Sequence, residues 1–278
     1  MIALTTLQIA AKRFSHSIPH AIHGGKAKPE KIDAHKMAVL RRGGMLPEAS
    51  VYPAQRRAPR DLLRRRIHLR RIRSELFAHV HHTNRPYHRP EIGKNIADKA
   101  NRDGVAERFT DPAVRKSIEV DRALITYDDG LLTDLELALA NSAQQHDAHS
   151  CYRLRAIPGV GKILALVLLY DIHEIRRCPS VQAFASYCRL VTYAKEFAGK
   201  RDGTSGQKLG HTSLKWACSE AAVLFLRNNE PGQKDLARLE QRHDKGKALT
   251  IFAHKLARAV SCRLKRKTGF DMHTFLQG

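Results

Sequence analysis

Leu62, Leu69 and Leu76 stand seven residues apart, with Ile72 and Val80 at intermediate spacings, in a stretch whose other positions are mostly arginine. That spacing returns apolar side chains to one face every two turns, so it predicts a helix with an apolar seam. A second helical period runs from about Val114 to Gln145. There Leu124, Leu131, Leu135 and Leu139 are read as facing inward, and Asp121, Asp128, Asp129, Asp134 and Glu136 as lying on other faces. The two helices are read as an antiparallel hairpin. Between them, His81 to Asp111 is rich in His, Pro, Asn and Gly and reads as a long connection.

The C-terminal half changes pattern. In LRAIPGVGKILALVLLYDI, a helical stretch meets Pro158-Gly159-Val160-Gly161 and a strongly apolar helix begins at Lys162. Two readings stand side by side. In one, Gly159 and Gly161 let the backbone approach a nucleic-acid phosphate, held by the N–H groups of the second helix with Lys162 beside them, as in a helix-hairpin-helix. In the other, the segment is a tight turn between two core helices. Ser180 to Leu190 follows as a helix capped by Ser180. A Gly- and Lys-rich stretch, Ala194 to Gly210, reads as a flexible loop carrying Lys195, Lys200, Arg201 and Lys208, to which a protonated His211 would add a further cation. Helices are then predicted over about 212–226, 233–242 and 247–267. The last ends in Arg263, Lys265, Arg266 and Lys267, which either complement the helix dipole or bind phosphate.

Charge narrows the function. With 49 Lys+Arg against 27 Asp+Glu, the chain carries a formal +22 over 278 residues, which predicts a polyanionic partner and leaves the fold open. The run from Arg56 to Arg73 holds nine arginines and a single acid, Asp61. Either the acidic second helix neutralises it, or Arg64, Arg65, Arg71 and their neighbours meet a nucleic-acid backbone. No apolar stretch approaches the ~20 residues of a spanning helix, and the opening residues lack the order of a secretion signal, so no membrane partner and a cytoplasmic protein are expected. Five cysteines, none in a CxxC pair, read as free thiols. His79, His81, His82 and His88 lack the spacing of a metal site.

Several ordered blocks together resemble the insertion-sequence transposases of the "one-ten" family. They are GGKAKPEKIDAHKMAVLRRGGMLPEA, the arginine hairpin, RLRAIPGVGKILALVLLYDI, and the segment from SYCRL to GHTSLKWA, and they cover nearly all of the chain from about His23. The resemblance implies a RuvC-like domain with four carboxylates holding divalent metal, Mg²⁺, a coiled-coil hairpin, and a C-terminal helical domain whose serine attacks DNA. It also implies a structured bridge RNA that selects DNA. The family's KTDxxDA motif reads here Lys28-Pro29-Glu30-Lys31-Ile32-Asp33-Ala34, so Asp33 matches and Glu30 replaces the other aspartate. Residues 1–29 contain no Asp or Glu, so the first two ligands are not there. Counting back from Gly210-His211, the family's serine falls on Phe197, with Ser205 the nearest substitute and otherwise a turn residue.

The expected fold is therefore mainly α: a short, truncated α/β RuvC-like remnant over 1–55, a helical hairpin over 56–148, and an all-helical domain over 149–278. The expected function is nucleic-acid binding in DNA transposition and recombination, with the acidic site (Glu30, Asp33) incomplete and strand cleavage absent. The hairpin is expected to join copies of the chain into a homo-oligomer. Two other readings remain: an active transposase completed by a partner chain, and a basic helical adaptor.

Overall fold

The computed structural model describes residues 30–45, 52–93, 95–191, 193–197, 200–205 and 210–277. The fold is mainly α. Of the RuvC-like α/β remnant expected over 1–55, residues 1–29 and 46–51 lie outside the described residues, and residues 30–42 form a helix. Contacts group the chain into two units, 1–55 and 56–278. The first contains helix α1 (Glu30–Arg42), which closes on Gly43 and Gly44, the latter at φ +65°.

The second unit opens with α2 (Ala54–Thr83) and continues through a connection with two short 3₁₀ turns into α3 (Pro112–Arg155). Asp111 caps α3, accepting from the N–H groups of Ala113 and Val114 at 2.8 and 3.2 Å, and Pro112 occupies the first turn, where its missing N–H costs nothing. At Asp147 the backbone leaves helical geometry (φ −165°, ψ 73°) and its carboxylate accepts from Ser150 N–H at 2.9 Å. Asp147 thus ends one helical run and caps the next, so α3 is kinked just beyond the end predicted at Gln145.

Ion pairs rather than a leucine seam join α2 to α3. Arg66 meets Glu136 at 2.6 Å, Arg73 meets Asp129 at 2.6 Å, and His79 meets Asp121 at 2.5 Å, so the pairs climb one helix as they descend the other and the two run antiparallel. This corrects the expected facing. Leu124 is exposed (47%) and Ile72 is exposed, while Asp121 and Asp128 are buried beside Ile118, Ile125 and Leu132. The acids face inward because the inward stripe of α2 itself carries arginine: Arg73 is 7% exposed. Asp129 is shared, its second oxygen lying 2.7 Å from Arg102 in the connection. Arg102 also donates to the carbonyls of Ile96 and Ala97 and, with Arg73, stacks on the Phe77 ring. Burial pushes the Asp128 carboxyl above its ordinary range, and Arg73 pulls it partly back. Apolar cores lie on both sides of this ionic middle. One gathers Val80, Ile96, Val105, Phe109 and Ile118 at the hairpin tip, and the other runs from Leu63 and Leu139 into the C-terminal helices.

There, α4 (Lys162–Ile172) is the central element. Its sequence KILALVLLYDI has no polar face, and every residue from Leu164 to Ile172 is buried. Around it lie α5 (Val181–Tyr187), α6 (Thr212–Arg227), α7 (Glu230–Glu240), α8 (Lys245–Arg266) and α9 (Met272–Gln277). Ser180 caps α5, accepting from Ala183 N–H at 3.0 Å. The stretch read as a flexible loop instead contains an antiparallel hairpin, β1 (Tyr193–Phe197) and β2 (Lys200–Ser205), pairing Tyr193 with Ser205 and Phe197 with Lys200. Lys265 Nζ donates to the carbonyls of Cys178 and Pro179 at 2.7 and 3.2 Å, so this cation of α8 ties down the start of α5. The five cysteines are free thiols, three of them buried.

Removing one partner of a buried ion pair strands the other, which typically costs ~3 to 5 kcal/mol. Asp129→Ala, which strands both Arg73 and Arg102, is expected to lower unfolding free energy in urea by about 3 kcal/mol. Glu119→Ala, at the exposed Lys116 pair, is expected to change it by less than ~0.5 kcal/mol. The turn before α4 supplies a second expectation. Gly159 has φ +80°, and a Cβ there would lie 2.4 Å from the Ala221 carbonyl oxygen and 2.5 Å from the Phe225 nitrogen, both backbone atoms of α6. Gly159→Ala should therefore destabilise by about 3 kcal/mol in the same assay, whatever ligands are present.

Candidate nucleic-acid interface

At the C-terminal end of α4 one carboxylate stands in an otherwise apolar helix. Asp171 is 5% exposed, and Arg60 of α2 donates to it at 3.0 Å. His211, the residue that opens α6, brings Nε2 to 3.5 Å from the same oxygen and 3.3 Å from the Arg60 guanidinium. The other ring nitrogen, Nδ1, is buried and has no hydrogen-bond partner among the described residues. Burial lowers the His211 pKa, against the pull of Asp171, and Arg60, Arg64 and Arg177 lower it further. His211 also packs on the Tyr187 ring, and the lowered pKa disfavours the protonated form that would add a cation to the basic loop. Arg177 stacks on the other partner of that contact, 4.6 Å from the Tyr187 centroid, and donates to the Asp171 carbonyl. Arg56 reaches the His173 carbonyl at 3.3 Å. Asp171 thus gathers α2, α4 and the start of α6 at one point.

The arginines of α2 divide accordingly. Arg60, Arg66 and Arg73 turn inward to Asp171, Glu136 and Asp129. Arg64, Arg65 and Arg71 are exposed. Arg64 and Arg71 lie two turns apart on one face, and Arg65 is rotated from them by one residue. Arg64 lies 3.9 Å from Asp61, both largely in solvent, so that pair holds it weakly. The neutralisation reading of the arginine run thus applies to Arg60, Arg66 and Arg73.

The other candidates are dispersed. The close backbone approach that Gly159 permits is made to α6. Gly161 and Lys162 are exposed at the start of α4, where no side chain caps the helix and open space surrounds Gly161. Lys200, Arg201 and Ser205 belong to β2, and Ser205 and Phe197 stand at opposite ends of the hairpin register. Lys208 lies outside the described residues. The sequence reading passed over Asp171 and Trp216. For Asp171 a signal existed, since a lone acid in an apolar helix must find a cation.

Glu30 and Asp33 stand one turn apart on α1. Two carboxylates fall short of the four that the family resemblance implies for Mg²⁺, and among the described residues no group of three His, Cys, Asp or Glu is placed to hold a metal ion. Two carboxylates are fewer anionic ligands than a two-metal centre needs to hold ions ~3.5 to 4 Å apart.

Residues 151–238 match the family model described as the transposase IS116/IS110/IS902 family. The match spans the end of α3 through most of α7, including Asp171, His211 and the β-hairpin. No curated protein sequence matches the chain. Among the described residues, no helix is long and apolar enough to cross a membrane.

His173, His211 and His254 all have pKa values lowered first by burial, with neighbouring arginines adding to the effect. A histidine protonated more readily unfolded than folded leaves stability whole above its ordinary range near 6.5 and withdraws it as pH falls through that range. The thermal midpoint is expected to drop between pH 7.5 and pH 5.5, and His211→Asn is expected to drop less over the same interval.

Proposed function

We propose that this chain is a nucleic-acid-binding protein of the insertion-sequence transposase type, acting in DNA transposition and recombination, and that by itself it does not cleave DNA. The observation that carries the reading is the transposase-family match over 151–238, on a chain with a formal charge of +22. The exposed arginines of α2 supply the physical basis. Guanidiniums that protein carboxylates do not neutralise gain by displacing counterions from a phosphate backbone, and such binding weakens steeply with salt. Arg64, Arg65 and Arg71 are assigned to that surface, with Gly161, Lys162, Lys200, Arg201 and Lys208 as further cationic or backbone elements. These groups position a duplex without reading its sequence. A guide RNA would meet the same surface on the same terms, and assembly through the helical hairpin would multiply it.

Absence of cleavage rests on two substitutions of chemistry. Phe197 stands where the resemblance places the nucleophilic serine, and a phenyl ring has no oxygen to attack a phosphodiester. Glu30 and Asp33 are the only carboxylates matching the metal motif, and Glu30 stands where the motif has an aspartate. Mg²⁺ would polarise the scissile phosphate and lower the pKa of a bound nucleophile in such a centre, and this chain would need ligands from elsewhere to hold it.

The test combines binding and cleavage on the full chain. Fluorescence anisotropy with labelled DNA should show log affinity falling linearly with log salt. Replacing Arg64, Arg65 and Arg71 together by alanine should make that slope shallower by about one for each phosphate that is no longer neutralised. Supercoiled DNA with Mg²⁺ should remain un-nicked, with or without added RNA. Affinity indifferent to ionic strength would refute the binding reading, and nicking abolished by Asp33→Ala would refute the inactivity.

A further inference from the structure

A cleft of about 410 Å³ opens between α2 and the first turns of α6, within the ~300 to 1,000 Å³ range of small-molecule sites. From α2 it is lined by Arg66, Arg70 and Arg71, with Glu75 at one end, and from α6 by Thr212, Ser213 and Trp216. We propose that this cleft holds an unpaired nucleotide of a single-stranded nucleic acid, its phosphate between Arg70, Arg71 and the α6 N-terminus and its base on the Trp216 ring. The proposal rests on the nucleic-acid-binding reading above and deepens it by assigning strandedness and a place.

Three independent features converge on one occupant. The first is charge. Arg66 is already met by Glu136, while Arg70 has its pKa lowered by burial and by the adjacent Arg73 and Arg66, so a guest anion there relieves crowding among like charges. Glu75 is the one acid lining the cleft, and it confines the anion to the Arg70 side. The second is the helix end. His211, at the cap position of α6, makes no side-chain cap bond, because its ring is turned to Asp171 and Arg60. Among the described residues no side chain caps the first-turn N–H groups of α6, which point to where an anion would sit. The third is Trp216, the chain's single tryptophan, 39% exposed and one turn beyond Ser213 on the same helix. An aromatic face beside a phosphate-sized cationic niche matches a nucleotide, with stacking for the base and charge for the backbone. A base paired inside a duplex keeps both faces in its own stack and cannot offer one to Trp216, so the cleft selects single strands.

The anchor at Asp171 fixes the geometry. It holds Arg60, two turns before the cleft-lining Ile67 on α2, against His211, the residue preceding Thr212 on α6. The two walls of the cleft are therefore pinned at one end by a buried ion pair.

Because Trp216 is the only tryptophan, its fluorescence reports on this cleft alone. Titrating the intact protein with oligo-dT, oligo-U, a blunt duplex and inorganic polyphosphate, with anisotropy of labelled strands in parallel, tests the proposal. Saturable quenching by oligo-dT or oligo-U, at concentrations matching the anisotropy curve, is expected. The stronger of the two identifies DNA or RNA as the source. Trp216→Ala should weaken single-strand binding about tenfold, Trp216→Phe much less, and Arg70→Ala should weaken it with the quenching amplitude retained at saturation. Single strands that bind by anisotropy without quenching, equal quenching by polyphosphate, or preferential quenching by duplex would each overturn the proposal and leave the broader binding reading intact. No binding of any nucleic acid by anisotropy would overturn both.

Discussion

Nine arginines within eighteen residues of one helix can be packed only if anions meet them, and this requirement organises the second unit of the chain. Asp171, Glu136 and Asp129 meet Arg60, Arg66 and Arg73 along α2, from the C-terminal helices towards the hairpin tip. Each pair fixes a rotational setting of α2, because a guanidinium turned inward at these positions leaves Arg64 and Arg71 turned out. The exposed cationic face and the buried ionic seam are two consequences of one helix orientation. A buried pair is weak evidence for net stability, since apolar residues of similar size often do as well. Its contribution here is to register, which an arginine-rich helix with few leucines on its inner face could not otherwise obtain.

The mainly helical fold was legible in the sequence because the strongest signals are local. Ser180 announces a cap, the apolar run after Lys162 leaves only a core helix, and the Gly159 turn divides two helices. What failed was facing. Leu62, Leu69 and Leu76 look like a seam when arginine is scored as polar, yet Arg73 is nearly as buried as Val80. On α3 the same rule placed Leu124 inside and Asp128 outside, and the structure reverses both. Periodicity counts hydrophobicity, whereas here burial follows charge pairing between elements far apart in sequence.

The candidate site was legible in composition and opaque in arrangement. Cationic residues were found because they are numerous, and Gly159 because it is a glycine beside another glycine. Which arginines are occupied inside the protein depends on Asp171 and Asp129, whose partners lie 111 and 56 residues away along the chain. Trp216 drew no attention because a lone aromatic on a helix reads as core. Its part-exposure beside Arg70 and Arg71 emerges only when α2 and α6 are brought together by His211.

The Gly159 turn carries a consequence for how the chain tolerates change over generations. Its missing side chain is demanded by the backbone of α6, a few ångströms away. Selection for folding alone would keep it. A copy that exchanged its chemical residues freely would still hold this glycine fixed. Lineages of such copies would then look well preserved at the turn and eroded in the hairpin, so that persistence of the glycine dates the fold and not the activity.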